Sequence, residues 1–332
     1  MHLIIDADPC IYRCGFSAER TDYHMVVESP AGSIQELYFT PKPKIHAGEQ
    51  MRLWVKEHPK WEILSKTREV HPDSEESAID NLRTQVQSIE KECREHYGVD
   101  QFDAISIILS GPGNYRERIA TVFPYKGNRD PEHKPYHYQA LRNHLTQQWG
   151  AVVVHGREAD DECSILAGRC AANPLQFERH AERVWRSNVR SVLSYIIATI
   201  DKDLDQIPGE HYNYLQKVFY NQSAASARLF FFQQCLSGDS TDGIPGCWKI
   251  GAVKAEAFIR AHADSSDRQL WTAIVGEYAA SQAKADCPYV DRDAASIALE
   301  TARLVYLQKY EGELWNPPGT PHGLLEEYSD DE

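Results

Sequence analysis

The chain opens on Leu3-Ile4-Ile5-Asp6-Ala7-Asp8, an apolar triplet that runs directly into two carboxylates. Consecutive β-forming apolar residues without alternation describe a strand covered on both faces, as the strands of a parallel sheet are; the acids then stand at the carboxyl end, where such sheets bind ligands. The pattern recurs. Residues 105–109 end at Ser110, 152–154 lead into Glu158, Asp160 and Asp161, and 196–200 run into Asp201 and Asp203. Helical spacing fills the intervals: Ile79, Leu82, Val86 and Ile89 mark one face of a helix over 77–96, and 161–172 and 228–236 have the same period. The expectation is an α/β protein, a parallel sheet with helices on both faces.

The expected core spans 1–235, interrupted at about 21–76 by an insertion that carries Pro30, Pro41, Pro43, Pro59 and Pro72 and shows no period. Residues 236–315 turn helical, and 316–332 have the composition of an acidic, disordered tail. With 332 residues, 42% hydrophobic and 25% charged, the chain can bury a sizeable core, which excludes global disorder. No apolar run approaches the roughly 20 residues of a membrane span. The start shows no basic-then-apolar leader, and the eight cysteines form neither a C-x-x-C pair nor a zinc spacing, so they are expected to be reduced packing thiols in the cytoplasm. A net charge of −14 counts against a nucleic-acid partner, because phosphate is bound by Lys and Arg. Its distribution removes the objection. The acids concentrate in the last seven positions and in short Asp/Glu motifs, leaving the remainder near neutral.

Asp6 and Asp8, Glu158, Asp160 and Asp161, and Asp201 and Asp203 all follow expected strands and so face one crevice. Convergent carboxylates repel and cannot all stay ionised near neutral pH. A hard divalent cation removes the conflict: an all-oxygen donor set suits Mg2+ or Mn2+, and so large a cluster has room for two ions about 3.5–4 Å apart, an arrangement suited to phosphodiester hydrolysis. A fourth acidic element, Gly238-Asp239-Ser240-Thr241-Asp242-Gly243-Ile244-Pro245-Gly246, leads into Lys249, Gly251 and Lys254. A helix, a glycine-rich turn and a second helix starting near Gly251 present free N–H groups and lysines to a phosphate. Pro124-Tyr125-Lys126-Gly127-Asn128-Arg129 lies in the most basic stretch, and on a helix Lys126 and Arg129 share a face. Each motif alone also reads as turn aspartates, a helix cap or a solvated basic surface. Their joint order is what carries chemistry.

In that order, D-x-D, YKGNR, E-A-D-D, D-K-D-L and G-D-x-x-D-G-I-P-G followed by K-x-G-x-x-K resemble the flap endonuclease and 5′→3′ exonuclease family, its bacteriophage members above all, over residues 1–20 and 102–262. The resemblance implies a PIN-like nuclease core with a helix-three-turn-helix and two Mg2+ (or Mn2+) ions. It also implies cleavage of DNA at 5′ ends, flaps or branches, and in some members of RNA in RNA–DNA hybrids, with 5′-phosphate products. A role in phage replication, primer removal or recombination in the host cytoplasm goes with it. Carried over by position, the resemblance puts Asp6, Glu158 and Asp160 on the first ion, with Asp161 close to both. Asp201, Asp203 and Asp239 fall on the second, backed by Asp242. Lys126 and Arg129, beside Tyr125, fall at the scissile phosphate. Gly246, Lys249, Gly251 and Lys254 fall on the duplex, often with K+. One departure stands out. The family acid after the second strand is replaced by Leu109-Ser110-Gly111, which leaves the first ion short of a ligand for which Asp8 is the nearest substitute. Two rivals remain: a haloacid-dehalogenase-like phosphatase built on Asp6, Asp8 and Ser110, which leaves the YKGNR and lysine motifs unused, and a DNA-binding relative without catalysis.

Overall fold

In the computed structural model Leu3, Ile4 and Ile5 of β1 (His2–Asp6) are fully covered, because a strand lies parallel on each side. β5 (Ala104–Ser110) runs along one edge with Asp6 opposite Ile108, and β7 (Tyr195–Ala198) along the other with Ile5 opposite Ala198. β6 (Val152–Val154) extends the sheet beyond β5. The four expected strands are thus present and parallel. Two more complete the order β6-β5-β1-β7-β8-β9: β8 (Gly209–Asn213), parallel to β7, and β9 (Val218–Gln222), antiparallel to β8. They form an edge hairpin, and their mixed polarity offers no continuous apolar run to read.

The structure describes residues 1–43, 45–129, 134–171, 194–284 and 286–325. Two units emerge, Met1–Pro9 with Ile89–His133 and Trp149–Glu332, and Cys10–Ser88 with Lys134–Gln148. In the first, helix Ala159–Ala171 packs Ala159, Cys163 and Ala167 into one core with Ile4, Ile108 and Ile197. Helices Ala224–Ser237, Ala252–Ala261, Asp267–Gln282 and Ala294–Val305 build a second core around Phe232, Leu236, Ile259 and Ile274, so residues from 236 onward share a unit with the sheet. The expected helix, glycine-rich turn and helix is Ala224–Ser237, a turn, and Ala252–Ala261 with Gly251 at its N-cap. Gly238 (φ 62°) and Gly246 (φ 61°) meet backbone to backbone there; a Cβ on Gly246 would lie 2.4 Å from the Ser237 carbonyl carbon.

The insertion, left without a structure by its sequence, is the body of the second unit. β2 (Glu19–Glu28) lies between β3 (Ile34–Phe39) and β4 (Glu62–Pro72) in an antiparallel sheet, and helix Ala47–Glu57 closes one face, packing Ala47 and Met51 against Met25, Val27 and Phe39. Pro30, Pro41, Pro43 and Pro59 fall between elements and Pro72 ends β4, where a missing N–H costs no ladder bond. The chain end also departs from expectation. β10 (Glu313–Leu314) pairs with β11 (Gly323–Leu324), so the irregular tail expected from 316 is part of the fold through 325; Glu326, Glu327, Asp330, Asp331 and Glu332 lie outside the described residues. All eight cysteines are free and buried, and burial pushes Cys14 up to about 11 and Cys93 up to about 12, as packing thiols require.

Candidate active site

Every residue marked for chemistry lies in the first unit. Asp6 ends β1, Glu158 and Asp160 flank the start of helix Ala159–Ala171 after β6, and Asp201 caps the 3-10 turn Lys202–Gln206 after β7 by accepting the Asp203 N–H at 2.9 Å. Since β1, β5, β6 and β7 are parallel, these acids leave the sheet at one edge. Asp8 is fixed at the same edge, its Oδ2 accepting the Ser110 N–H at 2.9 Å, while Ser110 Oγ accepts the Ala159 N–H at 2.9 Å. Ser110, at the end of β5, therefore holds a hydroxyl that receives the first N–H of helix Ala159–Ala171. Gly111 leaves no room for a carboxylate side chain, because its Cβ would sit 2.1 Å from the Val154 carbonyl oxygen.

The acids divide into two electrostatic classes. Asp6 Oδ2 accepts the Thr199 hydroxyl at 2.9 Å, while its buried Oδ1 has no partner among the described residues. Burial, then the charges of Asp8 and Asp201, push its carboxyl well above the usual range. Burial likewise pushes up Asp160, with Asp6 and Asp201 adding to it, and Asp201, with Asp242 and Asp239 adding. Asp203 is pushed up to about 7 by burial and by Asp201 and Asp239. Among the described residues none of these four forms an ion pair.

Each acid of the other class faces a cation. Lys126 Nζ pairs with Glu158 and lies 3.6 Å from Asp242, Arg129 pairs with Asp242, and Lys202 Nζ is 3.1 Å from Asp239. Burial raises Glu158, but the charges of Lys126 and Arg116 outweigh it and hold the carboxyl down to about 2. Burial raises Asp239 too, and Lys202 outweighs it. The Tyr125 hydroxyl lies 2.6 Å from Glu158 and 2.8 Å from Asp242, and burial followed by the Glu158 charge keeps it a neutral phenol. Residues 125–129 form a turn instead of the expected helix: Gly127 N–H donates to Pro124 and Arg129 N–H to Lys126, each at 3.0 Å, and Lys126 takes φ 54°. Lys126 and Arg129 nonetheless converge, through Asp242.

Asp161 needs a further correction. Both of its oxygens are taken by the Arg116 guanidinium, at 2.6 and 2.9 Å, with both side chains essentially unexposed (0% and 2%). It serves as a structural counter-ion and has no oxygen to spare for a metal. Lys249 (φ 64°) pairs with Asp286, Lys254 Nζ donates to the Lys249 carbonyl at 3.1 Å, and both are exposed in the turn-and-helix element, without a described contact to the acidic edge. Among the described residues no three acidic, histidine or cysteine side chains are already gathered around one point as metal ligands. The donor chemistry still fits a hard divalent ion: all-oxygen ligands, an orphaned buried oxygen on Asp6, and four aspartates pushed up by burial and then by neighbouring carboxylates, a conflict that a cation would offset.

No family model matches the chain, and no curated protein matches it. Among solved structures it is similar to the bacteriophage T5 5′-exonuclease with divalent zinc bound (14% identity, 67% of this chain and 80% of that one, TM-score 0.43). It is also similar to the T5 flap endonuclease in a complex with DNA and metal ions (15%, 71% and 82%, 0.42) and to a T5 protein co-crystallized with metal ions (13%, 93% and 90%, 0.46). The functional weight falls on the residues themselves. Several of those at the site carry no motif: Arg116, Thr199, Ser110 and Gln234, whose amide donates to Asp203 at 2.7 Å. Lys202 was legible, standing between two aspartates in D-K-D-L.

Removing one member of the Arg116–Asp161 pair strands a buried charge. Arg116→Met should cost about 3–5 kcal/mol in urea unfolding, and adding Asp161→Leu should restore part of it. The raised aspartates bind protons in the folded chain that the unfolded chain releases. Between the usual carboxylate range and about 7, their contribution to stability therefore falls as pH rises. In EDTA, Asp203→Asn should flatten the fall in melting temperature between pH 5 and 7 relative to the parent, and Mn2+ should raise the parent's melting temperature more at pH 8 than at pH 5.

Proposed function

We propose that the chain is a divalent-metal-dependent nuclease that hydrolyses DNA phosphodiesters at 5′ ends, flaps or branches and leaves 5′-phosphates. The observation that carries this is the juxtaposition, at one sheet edge, of mutually repelling aspartates 6, 160, 201 and 203 with cationic Lys126, Arg129 and Lys202. Hard cations suit the first group and phosphate the second. Asp6, Glu158 and Asp160 would hold one ion, with Asp8 beside them, and Asp201, Asp203 and Asp239 the other, with Asp242 behind. Bound divalent ions supply Lewis-acid polarisation of the phosphodiester and activation of water.

The chain's own groups do the rest. Lys126 and Arg129 exchange Glu158 and Asp242 for the scissile phosphate and offset the charge that grows on its oxygens. Tyr125, as a neutral phenol, keeps Glu158 and Asp242 together while the lysine moves. Lys249 and Lys254, with the backbone N–H groups near Gly246 and Gly251, contact duplex phosphates away from the cut, so recognition follows the backbone and not the bases. Ser110, which a haloacid-dehalogenase-like phosphatase would turn toward phosphate, is occupied by the Ala159 N–H, which favours the nuclease reading.

With 5′- and 3′-labelled duplexes, flaps and RNA–DNA hybrids, cleavage from the 5′ side is expected in Mg2+ or Mn2+ and none in EDTA. Asp201→Asn should lose at least about 100-fold in single-turnover rate, more than an outer-shell change costs. Undiminished cleavage in EDTA, or hydrolysis confined to a monoester such as p-nitrophenyl phosphate, would overturn the proposal. The two basic elements should separate. Lys126→Ala should lower the single-turnover rate with duplex affinity in Ca2+ kept, whereas Lys249→Ala should weaken affinity and reduce its salt slope by about one counterion.

A further inference from the structure

We infer that Gln234 is a positioning residue for Asp203, and that its orientation is dictated through Gln206 by the backbone that follows helix Ala294–Val305. The inference rests on the metal-site reading above and deepens it. Gln234, 3% exposed in helix Ala224–Ser237, donates its amide to Asp203 Oδ1 at 2.7 Å. Gln206, at the end of the turn that Asp201 caps, donates to Gln234 Oε1 at 2.6 Å and to the Val305 carbonyl at 2.6 Å, while its Oε1 accepts the Leu307 N–H at 3.3 Å.

A carboxamide turned by 180° keeps nearly the same shape, so the end it presents is decided by its partners. Here the partners leave no choice. A backbone carbonyl only accepts and a backbone N–H only donates, so Val305 and Leu307 together fix which way Gln206 faces. Gln206 then offers Gln234 a donor, which claims the Gln234 oxygen and sends its NH2 to Asp203. The backbone at 305–307 thereby determines that Asp203 meets a donor and never a competing acceptor.

This matters because burial and the charges of Asp201 and Asp239 oppose ionisation of Asp203. A neutral N–H donor supports the carboxylate without bringing a charge that would compete with a cation, as Lys202 does at Asp239. One Asp203 oxygen is held and the other is left for the ion. The relay also gives the C-terminal segment a reason to exist at the site, since it touches Asp203 through two amides and no charge.

The test is Mn2+ binding to the full chain, read from the electron paramagnetic resonance of the free ion. Gln234→Leu and Gln206→Leu should each weaken binding by about tenfold, the scale of an outer-shell change. The double variant should be no weaker than Gln234→Leu alone, because Gln206 acts only through Gln234. Gln206→Glu keeps the size, reverses the polarity at Gln234 and should weaken binding as well; melting temperatures in EDTA establish that each variant is folded. Additive losses in the double variant, or parental affinity in both Gln206 variants, would overturn the relay while leaving the metal site intact. A parent chain that takes up no Mn2+ would instead overturn the metal reading, and the relay with it.

Discussion

A guanidinium and a carboxylate with almost no exposure, Arg116 and Asp161, meet through two hydrogen bonds in the first turn of helix Ala159–Ala171. Taking both charges out of water costs several kcal/mol each, a cost their attraction offsets only when the remaining polar atoms are also satisfied. They are. Arg116 donates to the carbonyls of Leu304 (2.8 Å) and Tyr306 (2.7 Å), and Asp161 accepts the N–H groups of Gln308 (3.1 Å) and Glu158 (3.2 Å). The pair thus locks the short helix Tyr115–Ile119 after β5, the start of helix Ala159–Ala171 and the backbone at 304–308 into one geometry. Glu158 and Asp160, on either side of Ala159, take their positions from it.

The same backbone reaches the other half of the cluster. Val305 and Leu307 orient Gln206, Gln206 orients Gln234, and Gln234 holds Asp203. Residues 304–308 therefore brace both acidic groups from behind, one through a buried ion pair and one through two neutral amides. The difference follows the electrostatics. Asp161 is neutralised by a fixed cation, whereas Asp203 is held by a neutral donor that adds no charge beside it.

Across the whole edge, acids with a cationic partner sit beside acids that repel one another. Glu158, held down to about 2, and Asp203, pushed up to about 7, differ by what faces them and not by residue chemistry. A fold that only had to be stable would not collect the second kind. Uncompensated carboxylates at low dielectric suit hard cations, and the hydrophobic cores behind the sheet and under the helical region carry the stability that such a cluster gives up.

The parallel core and the order of the acids along it are legible in the residue pattern alone. A strand buried on both faces must be continuously apolar, and 3–5, 105–109, 152–154 and 196–200 announce themselves for that reason, as do the glycines at 238 and 246 where backbones touch. The insertion and the edge hairpin β8–β9 stayed illegible because antiparallel, half-exposed strands mix polarity and so resemble loops. The site was legible to the level of residue type and no further. Which aspartate has an arginine against it, which has only other aspartates, and which way an amide points depend on neighbours 45 to 193 positions away, such as Arg116 for Asp161, Thr199 for Asp6 and Val305 for Gln206. Charge state follows the local field, and the field exists only once the chain has closed.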